Sequence, residues 1–187
     1  AEVLFHPELV PKLTEPGWLD FILGSHHITK QFGDFHEMDY HDPAFCARLW
    51  DIYLEDLQEI AEMDYFDVMA HIGYWRRYAF YQGVDEALTL EKHGDRVETL
   101  FRTLIRNGRG IELNCSGIRD GCGPFPSEEL LRLYRSMGGE IITVGSDAHS
   151  VPDAAKCIEA GHELLHRCGF RYVTVFTKRK PEFIHVI

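Results

Sequence analysis

Asp147 and His149 stand two residues apart at the end of an apolar run, I-I-T-V-G-S-D-A-H from Ile141 to His149. In an extended or turning chain, residues i and i+2 can enter one cavity, and a carboxylate oxygen with an imidazole nitrogen suits zinc, manganese or iron. The same residues also read as a helix cap and a loop histidine. A second apolar run, Phe21 to Ile28, ends in Gly-Ser and then His26 and His27. Adjacent residues of an extended chain face opposite ways, so one histidine is expected to point inward and the other outward. In F-D-V-M-A-H-I-G-Y-W-R-R, His71 ends a third run, and Arg76 and Arg77 follow. The histidine suits a metal and an arginine fork suits a phosphate, although Arg77 by itself reads more simply as a solvated base. G-I-E-L-N-C-S-G-I-R carries Asn114, Ser116 and Arg119 past a fourth run, with amide, hydroxyl and guanidinium donors for an oxyanion. Near the start, Glu2 lies in A-E-V-L-F, where a buried carboxylate is costly unless paired or metal-bound.

Four runs thus end in groups of metal- or phosphate-binding type, which surface histidines placed at random would not do. No Walker loop, G-x-S-x-G elbow or G-x-G-x-x-G fingerprint competes.

The elements that must position these groups alternate. Strands are predicted at Ala1 to Phe5, Asp20 to Gly24, Phe66 to His71, Gly110 to Asn114, Glu140 to Gly145 and Arg171 to Phe176, short and apolar enough to be covered on both faces. Asp42 and Pro43 open a helix in which Phe45, Leu49, Ile52, Tyr53, Leu57 and Ile60 recur at helical spacing. A second helix falls within Asp85 to Asn107. Ser127 begins a third that stops at Gly138 and Gly139, and the Ser150/Asp153 pair precedes a fourth that ends near Gly169. Strand–helix alternation predicts one α/β domain over 1–187 with a mostly parallel sheet, barrel or open, and a site at the carboxyl ends of the strands.

Composition narrows the function classes. With 19 Lys and Arg against 30 Asp and Glu, the formal charge of −11 disfavours nonspecific nucleic-acid binding. A bound metal can still reverse the sign locally, so a phosphate substrate stays open. No apolar run is long enough for a membrane helix. Five cysteines, an odd number without a C-x-x-C pair, argue against a zinc ribbon and a disulfide scaffold, and a reducing cytoplasm fits them best.

The ordered motifs resemble the polymerase-and-histidinol-phosphatase (PHP) superfamily, in its histidinol-phosphate phosphatase branch. G-S-H-H (Gly24 to His27), A-H-I-G-Y-W-R-R-Y (Ala70 to Tyr78), E-L-N-C-S-G-I-R (Glu112 to Arg119), G-S-D-A-H (Gly145 to His149) and V-F-T-K-R-K-P (Val175 to Pro181) carry it. The resemblance implies a distorted (β/α)7 barrel with up to three divalent metals (zinc, manganese or iron) and hydrolysis of L-histidinol phosphate in histidine biosynthesis. It puts Glu2 on the bridging carboxylate, His27 and His71 in one metal's shell, and Asp147 and His149, the catalytic pair, each on another metal. Arg76 or Arg77, with Arg119, would take the substrate phosphate, Asn114 and Ser116 would assist, and His41 in Y-H-D-P would reach the substrate from a loop.

The family opens on a His-x-His motif upstream of that glutamate, and this sequence has none. An incomplete barrel lacking its first strands is therefore expected, with exposed sheet edges that invite pairing between copies. Two alternatives stay open: an impaired, metal-binding PHP-like fragment, or a phosphatase for a nucleotide or another small ester.

Overall fold

The computed structural model describes Leu4 and residues 8–14 and 17–185. The strand expected at Ala1 to Phe5, and Glu2 within it, fall outside the described residues apart from Leu4.

Short helix α1 (Val10–Thr14) leads into strand β1 (Leu23–Gly24) and a small antiparallel pair, β2 (Ile28–Thr29) with β3 (Gly33–Asp34). Helix α2 (Pro43–Ala61), strand β4 (Val68–Met69), helix α3 (Arg76–Tyr81) and helix α4 (Leu90–Arg106) follow. The chain continues through β5 (Gly110–Asn114), α5 (Ser116–Asp120), α6 (Glu128–Ser136), β6 (Ile142–Gly145), α7 (Ile158–Arg167), β7 (Tyr172–Thr177) and β8 (Lys180–His185).

Helices α2, α4 and α6 form where the periodicity and capping signals put them. The Asp42 carboxylate accepts from Ala44 N at 2.9 Å, and Pro43 supplies the first helical residue of α2. In α4 the buried Val97, Leu100, Phe101 and Leu104 make one apolar stripe. α2 packs on α4 and α4 on α6. Each fully buried Leu or Phe of these seams contributes roughly 1.5–3 kcal/mol.

The central sheet is parallel, in the order β1-β4-β5-β6. Because that order follows the chain, each crossover adds its strand beside the last, and all four carboxyl ends lie along one edge. β5 is buried throughout. Gly161 lets α7 close onto it: a Cβ there would lie 2.5 Å from Cys115 Sγ. Among the described residues the sheet is open at β1 and β6.

Two expectations change. The segment predicted as the last parallel strand, β7, instead pairs antiparallel with β8. The cause is local: Lys178 and Arg179 both take positive φ, 49° and 61°, which makes the two-residue turn of a tight hairpin. β7 still touches the sheet, where Thr174 Oγ1 accepts from Ile142 N at 3.1 Å. The helix expected after Ser150 starts only at Ile158. The Ser150 hydroxyl spends its bond on the Asp153 carboxylate (2.8 Å), which closes a 3-10 turn over Val151–Asp153 instead of capping an α-helix.

Candidate active site

The carboxyl edge of the sheet gathers His27, His71, Asn114, Ser116 and Asp147. His27 Nε2 and His71 Nε2 are 3.2 Å apart. Two nitrogens bound to one tetrahedral zinc at 2.0–2.1 Å stand ~3.3–3.4 Å apart, so the spacing fits a shared metal. Protonation fits as well. Burial, and then the neighbouring His27, push His71 down to about 3, which leaves it the neutral imidazole that a metal requires. Its Nδ1 is buried with no hydrogen-bond partner among the described residues. Asp147 lies near enough to act on His71 electrostatically. Among the described residues, however, no three His, Cys, Asp or Glu side chains assemble into a full metal shell.

The two adjacent histidines do diverge, but neither simply faces water. His27 turns to His71, while His26 enters the core, stacked on Tyr53 and 3.2 Å from Asp56 Oδ2. His26 thus belongs to the packing beneath α2, and the inward–outward expectation holds only in that the two part.

Beside the histidine pair lies a cationic group. Arg77, expected by itself to be solvated, is buried. Its guanidinium rests on the rings of Tyr74 (5.1 Å) and Phe125 (5.5 Å), which replace water on its faces. It donates to Ser116 Oγ and lies 3.5 Å from Asp120 and 3.6 Å from Asp147. The single Ser116 proton serves Asn114 Oδ1 or Asp147 Oδ2, the latter 3.3 Å away. Arg119 bonds Asp120 (3.0 Å) and the Ser146 carbonyl (3.0 Å), holding the segment that carries Asp147. Arg76 points toward Gly123, where its guanidinium would lie 3.4 Å from an added Cβ.

Two expected members stand apart. His149 is exposed, with Nδ1 3.0 Å from the Asp147 carbonyl oxygen. His41 is also exposed and pairs with Asp39 at 2.7 Å rather than with the strand-end group.

Glu112 and Tyr74 join the site without having been assigned to it from sequence. Glu112 is buried, accepting from His71 N and Asn114 Nδ2, both at 3.1 Å. Burial pushes its carboxyl up to about 7, against the pull of those two bonds. A Cβ on Gly145 would lie 2.2 Å from Glu112 Oε1, so the glycine of G-S-D-A-H makes room for this acid. The signal was present: an acid inside the apolar run G-I-E-L-N, the argument applied to Glu2. Tyr74 packs against His27, His71 and Arg77, and its position three residues after His71 gave no such signal.

His71 and Asp147 both have positive φ, 26° and 51°. Such backbone costs about 1–3 kcal/mol and gathers where function holds a side chain in place.

No family model matches the chain. In sequence it is 28% identical over 127 residues to a probable histidinol-phosphatase of Thermotoga maritima, covering 68% of this chain and 52% of the relative. It is 24% identical over 170 residues to one of Clostridium acetobutylicum, covering 88% and 63%. In fold it resembles the histidinol phosphate phosphatase of Lactococcus lactis, solved with zinc, L-histidinol and phosphate. That likeness has a TM-score of 0.72 and 16% identity over 96% of this chain and 68% of that one. A putative histidinol phosphatase of Listeria monocytogenes gives a TM-score of 0.67 at 18% identity, over 82% and 62%. The chain is thus related to histidinol-phosphatases, shares their α/β architecture, and spans between half and two thirds of the relatives it matches in sequence.

Proposed function

We propose that this chain is the larger part of a metal-dependent phosphomonoester hydrolase acting on histidinol phosphate, and that its parallel sheet is wall of a PHP-type (β/α)7 barrel. One observation carries the reading: two imidazoles at metal-ligand spacing share a strand-end edge with a buried, ring-flanked arginine. A cation pocket beside an anion pocket is what a phosphate ester needs.

In this reading His27 and His71 hold a divalent metal, with Glu2 and Asp147 as further oxygen ligands. Such a metal supplies Lewis-acid charge and acidifies water near neutral pH. The protein's own work is electrostatic and positional. Arg77, fixed by Ser116 and the Tyr74 and Phe125 rings, presents a fork to phosphate oxygens. Asp120 and Asp147 hold that fork until phosphate competes for it. Arg119 keeps the Asp147 segment in place, and Arg76 adds positive charge at the rim. His149 and His41, both exposed, reach the substrate only if their loops turn inward.

The test is phosphate release from L-histidinol phosphate by the purified chain with zinc or manganese added, beside the Asp147→Asn variant. Metal-dependent turnover in the parent and its loss in the variant are expected. Equal turnover with a strong chelator present removes the reading.

A second reading has its own observation, since no three-ligand shell forms among the described residues. It is a metal-binding module without turnover, and it is favoured if metal analysis finds zinc bound while the assay finds no hydrolysis.

A further inference from the structure

The strained His71 is held from the neighbouring strand. Along β4 the ladder to β1 ends when Ala70 N donates to Gly24 O at 2.8 Å. At the next residue the chain leaves the sheet with φ 26°. The His71 amide, carried off the ladder, is met by Glu112 Oε2 on β5 at 3.1 Å. The same oxygen accepts from Asn114 Nδ2 at 3.1 Å, and Asn114 Oδ1 accepts from Ser116 N at 3.0 Å. Ser116 in turn holds Arg77. One buried carboxylate therefore ties the backbone of the histidine pair to the side chains that fix the arginine.

From this geometry we infer that Glu112 is a positioning residue: it touches neither metal nor substrate, and it sets His71 Nε2 against His27 Nε2 while keeping Asn114 turned toward Ser116. The inference rests on the proposed metal site. Gly145 is part of the device, because its bare Cα admits Glu112 Oε1. Two different changes should therefore act alike. Glu112→Leu removes the acceptor, and Gly145→Ala displaces it by placing a Cβ 2.2 Å from Oε1. Glu112→Gln keeps a carbonyl oxygen able to accept both N–H groups and should rescue.

Two measurements on the full chain test this. The first is hydrogen exchange of the His71 amide in metal-free protein, read by NMR. The second is the zinc dissociation constant, by competition with a chromophoric chelator. Loss of an outer partner of a metal ligand typically weakens binding ~10–100-fold. Glu112→Leu and Gly145→Ala should each show that weakening, with faster His71 exchange, while Glu112→Gln stays within about threefold of the parent. Should the parent bind no zinc while His71 exchange rises in the Leu and Ala variants only, the metal reading falls and the anchoring role stands. If the parent binds zinc and Glu112→Leu matches it, the inference is overturned, whatever His71 exchange does. It is equally overturned if Glu112→Gln fails as fully as Glu112→Leu.

Discussion

Replacing Arg77 tests the anion half of the site without relying on catalysis. The guanidinium is buried, rests on two rings, bonds Ser116, and lies within 3.6 Å of the Asp120 and Asp147 carboxylates. Arg77→Met preserves much of the stem's packing and deletes the charge. Asp147 then loses its paired cation and Asp120 keeps, among the described residues, only Arg119, in a chain whose formal charge is already −11. Removing one partner of a buried ion pair costs ~3–5 kcal/mol. The Asp120 and Asp147 side chains keep 18% and 24% of their exposure, so water offsets part of that loss and about 3 kcal/mol is expected. At roughly 2–4 °C per kcal/mol for a chain of this size, Tm falls by about 6–12 °C. Arg77→Lys restores the charge but not the planar fork or its stacking, and should recover only part of the loss, leaving about 1–2 kcal/mol. The assay is urea unfolding in the presence of a chelator, followed by the fluorescence of buried Trp50 and Trp75. A Met variant within about 0.5 kcal/mol of the parent, or a Lys variant equal to the parent, would refute the claim that a ring-flanked guanidinium shared by Ser116 and two carboxylates organises this pocket.

Two further outcomes follow from packing and protonation. Gly117→Ala should cost about 1–3 kcal/mol or more in the same unfolding assay, because its Cβ would lie 1.9 Å from the Gly123 carbonyl oxygen, which is backbone and cannot rotate aside. Glu112 should give the metal-free chain a pH-dependent stability. Its folded pKa, about 7, lies above its ordinary 4.5, so the folded state keeps the proton longer than the unfolded state. That contribution is complete below pH 4.5 and is lost as pH rises through 7, by about 3 kcal/mol in all. Glu112→Gln, neutral throughout, should match the parent near pH 4.5 and exceed its stability by that amount at pH 8. Parallel stability profiles for the two proteins would show that the buried acid is ionised throughout.

What the sequence disclosed depended on whether a residue's role was written locally. Helices α2 and α4 were legible because capping and a 3.6-residue stripe are properties of contiguous chain, and the parallel sheet followed from strand–helix alternation. The convergence of His27, His71, Asn114, Ser116 and Asp147 on one edge was legible too, since parallel strands put all their carboxyl ends together. Side-chain direction was not. His26 and His27 are chemically identical in sequence, and only the stacking of Tyr53 and the reach of Asp56 from α2 decide which one leaves the site. Arg77 resembled a solvated base because the groups that bury it, Phe125 and Ser116, come from a crossover some forty residues away. The β7–β8 hairpin was missed because its turn uses Lys178 and Arg179 at positive φ, where glycine or asparagine would have announced it. Glu112 is the instructive failure. The rule that a carboxylate in an apolar strand must have a partner was applied to Glu2 and not to Glu112 in the central strand β5. The penalty for an unpaired acid grows with burial, so the rule carries full force at Glu112, inside a strand that is buried throughout.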